Sequence, residues 1–180
     1  MTKGEVDIGL ASQADLDGIV ELQAANQPER GGTLSASLPH SRIAEMMREM
    51  PLIVARHGDH IAGFLMTSTQ AMNADVPIIR AMLAAYPGTS DAYVYGPVCV
   101  GAEERGKGLA QAMFSELRRL VPAREGILFI RRDNSASCAP TQKWVCVKSR
   151  TLCSAETSLP SSPTSDECSP TNFRLRSRAR

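Results

Sequence analysis

The sequence predicts an α/β fold over its first 136 residues, with strands and helices interleaved around an aliphatic core. Three observations carry this. Apolar residues make up 43% of the 180 residues and aromatics 4%, so a core of one domain's size is available and must be mostly aliphatic. Apolar positions alternate with period two in some stretches and recur at helical spacing in others. The segment 92–130 reads as strand, glycine-bearing loop, helix and strand in succession.

The elements follow in order. Val6, Ile8 and Leu10 alternate with polar or small residues as in a half-buried strand. Ser12-x-x-Asp15 resembles a capping box with Asp in place of Glu and opens a helix, with Leu16, Ile19, Val20 and Gln23 on or beside one face. Asn26 to His40 holds Pro28, Gly31, Gly32 and Pro39 and reads as a long loop, a length that is often functional. A helix from about Ser41 turns Ile43, Met46, Met47 and Met50 inward and ends at Pro51. Leu52–Ala55 and Ile61–Met66 are strands joined by the turn His57-Gly58-Asp59-His60, whose histidines read as turn residues before metal ligands. Val76–Tyr86 is a helix with Ile79, Met82, Leu83 and Tyr86 in register, stopped by Pro87-Gly88. Ala92–Val100 is a strand. A helix then runs from Leu109 with Leu109, Met113, Leu117 and Leu120 on one face, and Ile127–Ile130 is an apolar strand.

Charge narrows the function. Twenty Lys+Arg stand against 19 Asp+Glu, which argues against a dedicated nucleic-acid binder. No apolar run approaches a membrane span, and the first residues lack the basic start and apolar core of a signal peptide. The expectation is a cytoplasmic protein with neither nucleic acid nor membrane as partner.

The loop Gly101-Ala102-Glu103-Glu104-Arg105-Gly106-Lys107-Gly108 carries the sharpest signal. Glycines before a helix leave backbone N–H groups free at the positive end of the helix dipole and admit phosphate oxygens to the backbone. Arg105 and Lys107 add positive charge there. The nucleotide P-loop needs Ser or Thr after Lys107, where Gly108 stands, so the magnesium ligand is missing. The dinucleotide fingerprint fails at Gln111.

A third pattern fits. Val98-x-Val100-x-x-x-x-Arg105-Gly106-x-Gly108-x-Ala110 resembles the acetyl-coenzyme A signature of the GNAT superfamily of N-acetyltransferases, and the order of elements over 6–136 is similar to that family. The resemblance implies a mixed, mostly antiparallel central sheet flanked by helices. It implies acetyl-CoA as co-substrate, no metal, and a small-molecule or peptide amine as acceptor, with a homodimer left open. In that reading the backbone of Arg105, Gly106, Lys107, Gly108, Leu109 and Ala110 holds the pyrophosphate. Val98, Cys99 and Val100 line the pantetheine arm, which lies along the strand like an added strand. Asn134 matches an Asn near the cofactor. The amine attacks the thioester directly, so no covalent enzyme intermediate is required. Cys99 reads as a buried strand cysteine before a nucleophile. Glu29, in the loop bordering the acceptor site, and Tyr95, on the central strand, are the candidates for general base. The alternative function is a catalytically silent acyl-CoA or nucleotide-binding module, or an inactive remnant of the enzyme.

Composition breaks after residue 136. All 13 Gly and 8 Met precede that point, whereas four of the five Cys follow it: Cys138, Cys146, Cys153 and Cys168. Residues 1–136 are net acidic and 137–180 net basic, and 154–170, rich in Ser, Thr and Pro, reads as disordered. The cysteines lack the close pairs of a zinc site, and a disulfide framework would want a secreted context. Arg174, Arg176, Arg178 and Arg180 read as a solvated basic end. Pro140 interrupts the helix that the family has after Asn134. With one base lost just after the Ser137 codon, Lys143–Lys148 can also be read as Met-Gly-Met-Arg-Glu, a family-like continuation. The tail, 137–180, is thus expected to be an atypical, disordered Ser/Cys/Pro-rich basic segment from a shifted frame, lacking the family's last strands.

Overall fold

The structure, a computed structural model, describes residues 6–130, 146–151 and 171–175. They gather into two compact units. The first comprises the described residues up to Thr69 together with Val94–Ala123; the second comprises Gln70–Tyr93 and the described residues from Arg124 onward.

In the first unit, β1 (Asp7–Leu10) pairs antiparallel with β2 (Ile53–His57), and β2 antiparallel with β3 (His60–Thr69). The predicted hairpin is present: His57 faces His60 across Gly58-Asp59, and Gly58 takes the positive φ of 60° that the tight turn needs. β4 (Tyr93–Val100) follows β3 in the order β1-β2-β3-β4.

Ile61–Ser68 are buried without interruption. Successive strand residues point to opposite faces, so both faces of β3 are covered there. The cover comes from α1 (Leu16–Ala25), α2 (His40–Glu49) and α4 (Leu109–Leu120), all of which pack on β3. α1 buries Leu16, Ile19 and Leu22; α2 buries Ile43 and Met46; α4 buries Leu109, Met113, Phe114 and Leu117. Close approach has its own requirement: a Cβ at Gly18 of α1 would lie 2.7 Å from Ile61 Cγ1.

The start of α1 is locked from two sides. The Asp15 carboxylate accepts from the Ser12 N–H at 2.6 Å and the Ser12 hydroxyl at 2.8 Å, so the capping motif read from sequence is formed. The Arg56 guanidinium on β2 binds the same carboxylate through Nε and Nη2, each at 2.7 Å, and also donates to the Leu10 carbonyl at 2.8 Å. This two-pronged pair holds the Asp15 carboxyl down to about 2, with Ser12 adding to the effect and burial opposing it.

In the second unit, α3 (Pro77–Ala85) buries Met82. Its C-terminal side is tied to Glu125, which is buried and accepts from the Tyr86 hydroxyl at 2.8 Å and the Thr89 N–H at 2.8 Å. β5 (Gly126–Ile130) pairs antiparallel with β7 (Thr171–Leu175), and β7 antiparallel with β6 (Cys146–Thr151). A Cβ at Gly126 would lie 2.9 Å from the Tyr93 ring, which is why β5 opens on glycine.

β6 and β7 occupy a part of the chain where the sequence suggested that the last strands would be lost. Phe173 and Leu175 alternate with Asn172 and Arg174, a period-two pattern that the Ser- and Pro-rich average of the tail conceals. Asn134, Cys138, Cys153 and Cys168 lie outside the described residues. The fold is α/β, with mostly antiparallel strands and flanking helices.

Candidate functional site

The glycine loop leaves β4 at Val100 and enters α4 at Leu109. Its first part is a 3-10 turn, Ala102–Glu104, anchored to β3 by the Gly101 N–H donating to the Ala62 carbonyl at 2.9 Å. Gly106 and Gly108 then take φ of 76° and 83°, conformations that side chains disfavour. A Cβ at either glycine would meet nothing within 4 Å, so the protein's own atoms leave this space open.

The first bond of the α4 ladder runs from the Ala112 N–H to the Gly108 carbonyl at 3.0 Å. The N–H groups of Leu109, Ala110 and Gln111 therefore precede the ladder, and the dipole of a 12-residue helix adds to their pull on an anion. The arrangement suits a phosphate or pyrophosphate held by backbone.

The two cations of the loop point elsewhere than simple charge counting suggests. Lys107 Nζ sits 2.9 Å from Glu104 Oε1. Arg105 folds back over its own loop: Nε donates to the Val100 carbonyl at 3.2 Å and Nη2 to Asn26 Oδ1 at 2.5 Å. In this arrangement the loop offers an anion main-chain N–H groups more than free side-chain charge.

Cys99, on β4, is 6% exposed, and burial pushes its thiol up to about 11 against the opposing pull of Arg105. It stays protonated at neutral pH and is not a ready nucleophile. Val98 and Val100, its neighbours, are half-buried. Tyr95 is buried and meets Phe114 of α4 edge-on, with ring centroids 5.7 Å apart.

The loop after α1 is more ordered than its glycines and prolines suggest. Pro28–Arg30 form a 3-10 turn that carries exposed Glu29. The chain then doubles back so closely that a Cβ on Gly32 would lie 1.9 Å from the Asn26 carbonyl oxygen. Further on, Gln23 binds Leu38 with both ends of its amide, donating to the carbonyl at 2.9 Å and accepting from the N–H at 3.0 Å. Four residues on, just past the end of α1, Gln27 donates to the Ala36 carbonyl at 2.8 Å. Between this strap and α1 runs a groove of about 580 Å3, lined by Val20, Ala24, Glu29, Arg30 and Leu38 among others. The sequence reading named Glu29 in this loop and set Gln23 beside the apolar face of its helix, but gave Asn26, Gln23 and Gln27 no part in the site. For Gln23 the signal was an amide within an otherwise apolar helical stripe; Asn26 and Gln27, past the end of α1, carry no such signal.

No family model matches the sequence, and no curated protein matches it. Solved structures do. An N-acetyltransferase from Staphylococcus aureus Mu50 aligns with a TM-score of 0.66 at 18% identity, covering 96% of this chain and 99% of its own. The Salmonella typhimurium protein yncA, solved with its cofactor acetyl-CoA, aligns at 0.65 with 14% identity and 98% coverage of both chains. The ribosomal-protein-S18-alanine N-acetyltransferase of Escherichia coli gives 0.65 at 13% identity, covering 96% and 94%. The architecture is thus the α/β fold that these solved structures share. In particular, the chain has the fold of the GNAT N-acetyltransferases.

Proposed function

We propose that this protein is an N-acetyltransferase that moves the acetyl group of acetyl-CoA to a primary amine on a small molecule or peptide. The observation that carries the reading is the loop of Gly106 and Gly108, both at positive φ in open space, delivering the free N–H groups of Leu109, Ala110 and Gln111 at the start of α4. A side chain at either glycine would strain the loop and occupy the room a pyrophosphate needs.

In this reading the loop backbone from Arg105 to Ala110 holds the pyrophosphate, and the main chain at Val98 and Val100 runs beside the pantetheine arm. By the same resemblance Asn134, outside the described residues, is assigned to the cofactor site. The acceptor amine, once deprotonated, attacks the thioester carbonyl within a ternary complex. The new C–N bond forms, the C–S bond breaks, and the departing thiolate takes a proton. The enzyme's contribution is positioning and proton handling. A protonated Cys99 agrees with a route that needs no acyl-enzyme. Glu29, exposed beside the groove, and Tyr95 are the candidates for moving protons, and Glu29→Gln and Tyr95→Phe separate them in the rate assay.

Titration calorimetry with coenzyme A, joined to a thiol-release assay across a panel of amines, tests the proposal. Binding with turnover supports it. Binding without turnover for any amine favours a silent acyl-CoA-binding module instead. A folded sample that does not bind coenzyme A defeats both.

A further inference from the structure

Asn26 ends α1, far in sequence from the glycine loop, yet it meets that loop through one side chain. It is 6% exposed, and each of its polar groups is engaged. Nδ2 donates to the Leu22 carbonyl at 2.8 Å, and Oδ1 accepts from Arg105 at 2.5 Å. Its main-chain carbonyl accepts from the Leu34 N–H at 3.0 Å, and its N–H donates to the Gln23 carbonyl at 3.2 Å. One residue therefore fastens the loop before α4 and the loop after α1.

Arg105 fits this arrangement in shape as well as charge. Its planar fork reaches two acceptors at once, the Val100 carbonyl at the end of β4 and Asn26 Oδ1. The ammonium of a lysine would retain the charge without the fixed fork. Gly106 and Gly108 add backbone freedom immediately after Arg105, so the loop needs an external hold to keep its N–H groups convergent.

We propose that Asn26 is a positioning residue for the phosphate loop, acting through Arg105, and that this latch joins the order of the loop after α1 to that of the loop before α4. The inference rests on the reading of the glycine loop as a coenzyme A site. Arg105 here is a clasp, and its charge is not the feature that binds the cofactor.

The test uses the full chain and coenzyme A as probe. Arg105→Lys, Arg105→Gln, Asn26→Ala and the double variant Asn26→Ala with Arg105→Gln are compared by calorimetry at several salt concentrations. Each single variant is expected to weaken binding about tenfold. The double variant should be no weaker than either single one, because both remove the same link. The salt dependence should match the wild type, since no phosphate contact has been deleted. Hydrogen exchange in the ligand-free protein supplies a second reading. Arg105→Gln should raise exchange at Leu34 and Leu38, across the latch from the substitution, while the melting temperature of the remaining fold changes little.

Arg105→Lys binding coenzyme A like the wild type, or a flatter salt dependence in Arg105→Gln, would make Arg105 a phosphate ligand and overturn the inference. So would additive effects in the double variant, or unchanged exchange at Leu34 and Leu38. If the wild type binds no coenzyme A, the proposed function fails, and the exchange comparison still decides the latch. Should Asn26→Ala not fold, Arg105→Lys and Arg105→Gln decide by themselves.

Discussion

At the scale of single residues, electrostatics makes the clearest predictions. Asp15 is held at about 2 by the Arg56 guanidinium, well below its ordinary 3.8. A carboxyl depressed on folding stabilises the folded state fully above its unfolded pKa, and that stability is lost as pH falls through the folded one. Denaturant midpoints should therefore fall between about pH 4 and pH 2. Asp15→Asn should lack much of that slope and be less stable at neutral pH by about 2 kcal/mol. Cys99 behaves oppositely: with its thiol pushed up to about 11 and its side chain buried, it should resist alkylation in the native protein and react only on unfolding. Peptide mapping after a timed alkylation pulse checks this, and rapid native labelling of Cys99 would contradict it.

At the scale of elements, the glycines sort by what each one does. Gly106 and Gly108 have room for a Cβ but positive φ, so alanine at either should cost on the order of 1 kcal/mol in stability and weaken coenzyme A binding more than it destabilises the fold. Gly32 is the reverse case. Its Cβ would fall on the Asn26 carbonyl, so Gly32→Ala must reshape the turn and should destabilise by several times as much, read as a shift in denaturant midpoint. The helices and hairpin were legible because their signals are local: apolar spacing in α1, α2 and α4, Pro and Gly at the ends, the Ser12–Asp15 cap. The conformation of the glycine loop was legible because its glycines serve the backbone directly. What spacing could not reveal was pairing across the chain. Arg105 beside Asn26 is set by how β4 and α1 lie in the fold, and no short-range pattern encodes it. The strands β6 and β7 were hidden for another reason: β7 is a short alternating stretch, β6 shows no alternation, and both lie in a tail whose average composition argues for disorder.

At the scale of the whole molecule, the near-cancellation of charge reads differently once the chain is divided at residue 136, because an acidic part and a basic part sum to near zero. The fold is that of the GNAT N-acetyltransferases, and the proposed activity belongs to the acidic part, where the described loop sites lie. The shifted-frame proposal for 137–180 carries its own check. Resequencing the coding DNA should find one base missing just after the Ser137 codon, with Met-Gly-Met-Arg-Glu restored in the corrected frame. An intact frame would sink it. Release of the coenzyme A thiol from acetyl-CoA in the presence of an acceptor amine would in turn show that residues 1–136 and the tail as written suffice for catalysis.

The amide contacts at the end of α1 have a further consequence. Gln23 lies in the last turns of α1, and Gln27 lies just past its end, where the backbone is extended. Their partners Leu38 and Ala36 run in the opposite direction along the strap. Two side chains thus set the register between a helix end and the chain that returns past it. Adding or deleting a single residue between 36 and 38 would throw the two contacts out of step. The stretch before it is pinned as well, since the Leu34 N–H donates to the Asn26 carbonyl and the Gly32 N–H to the Gln27 carbonyl. Exposed Glu29 and Arg30, beside the groove, are therefore the positions where exchanging side chains could shift the proposed acceptor preference while the length of the strap stays fixed.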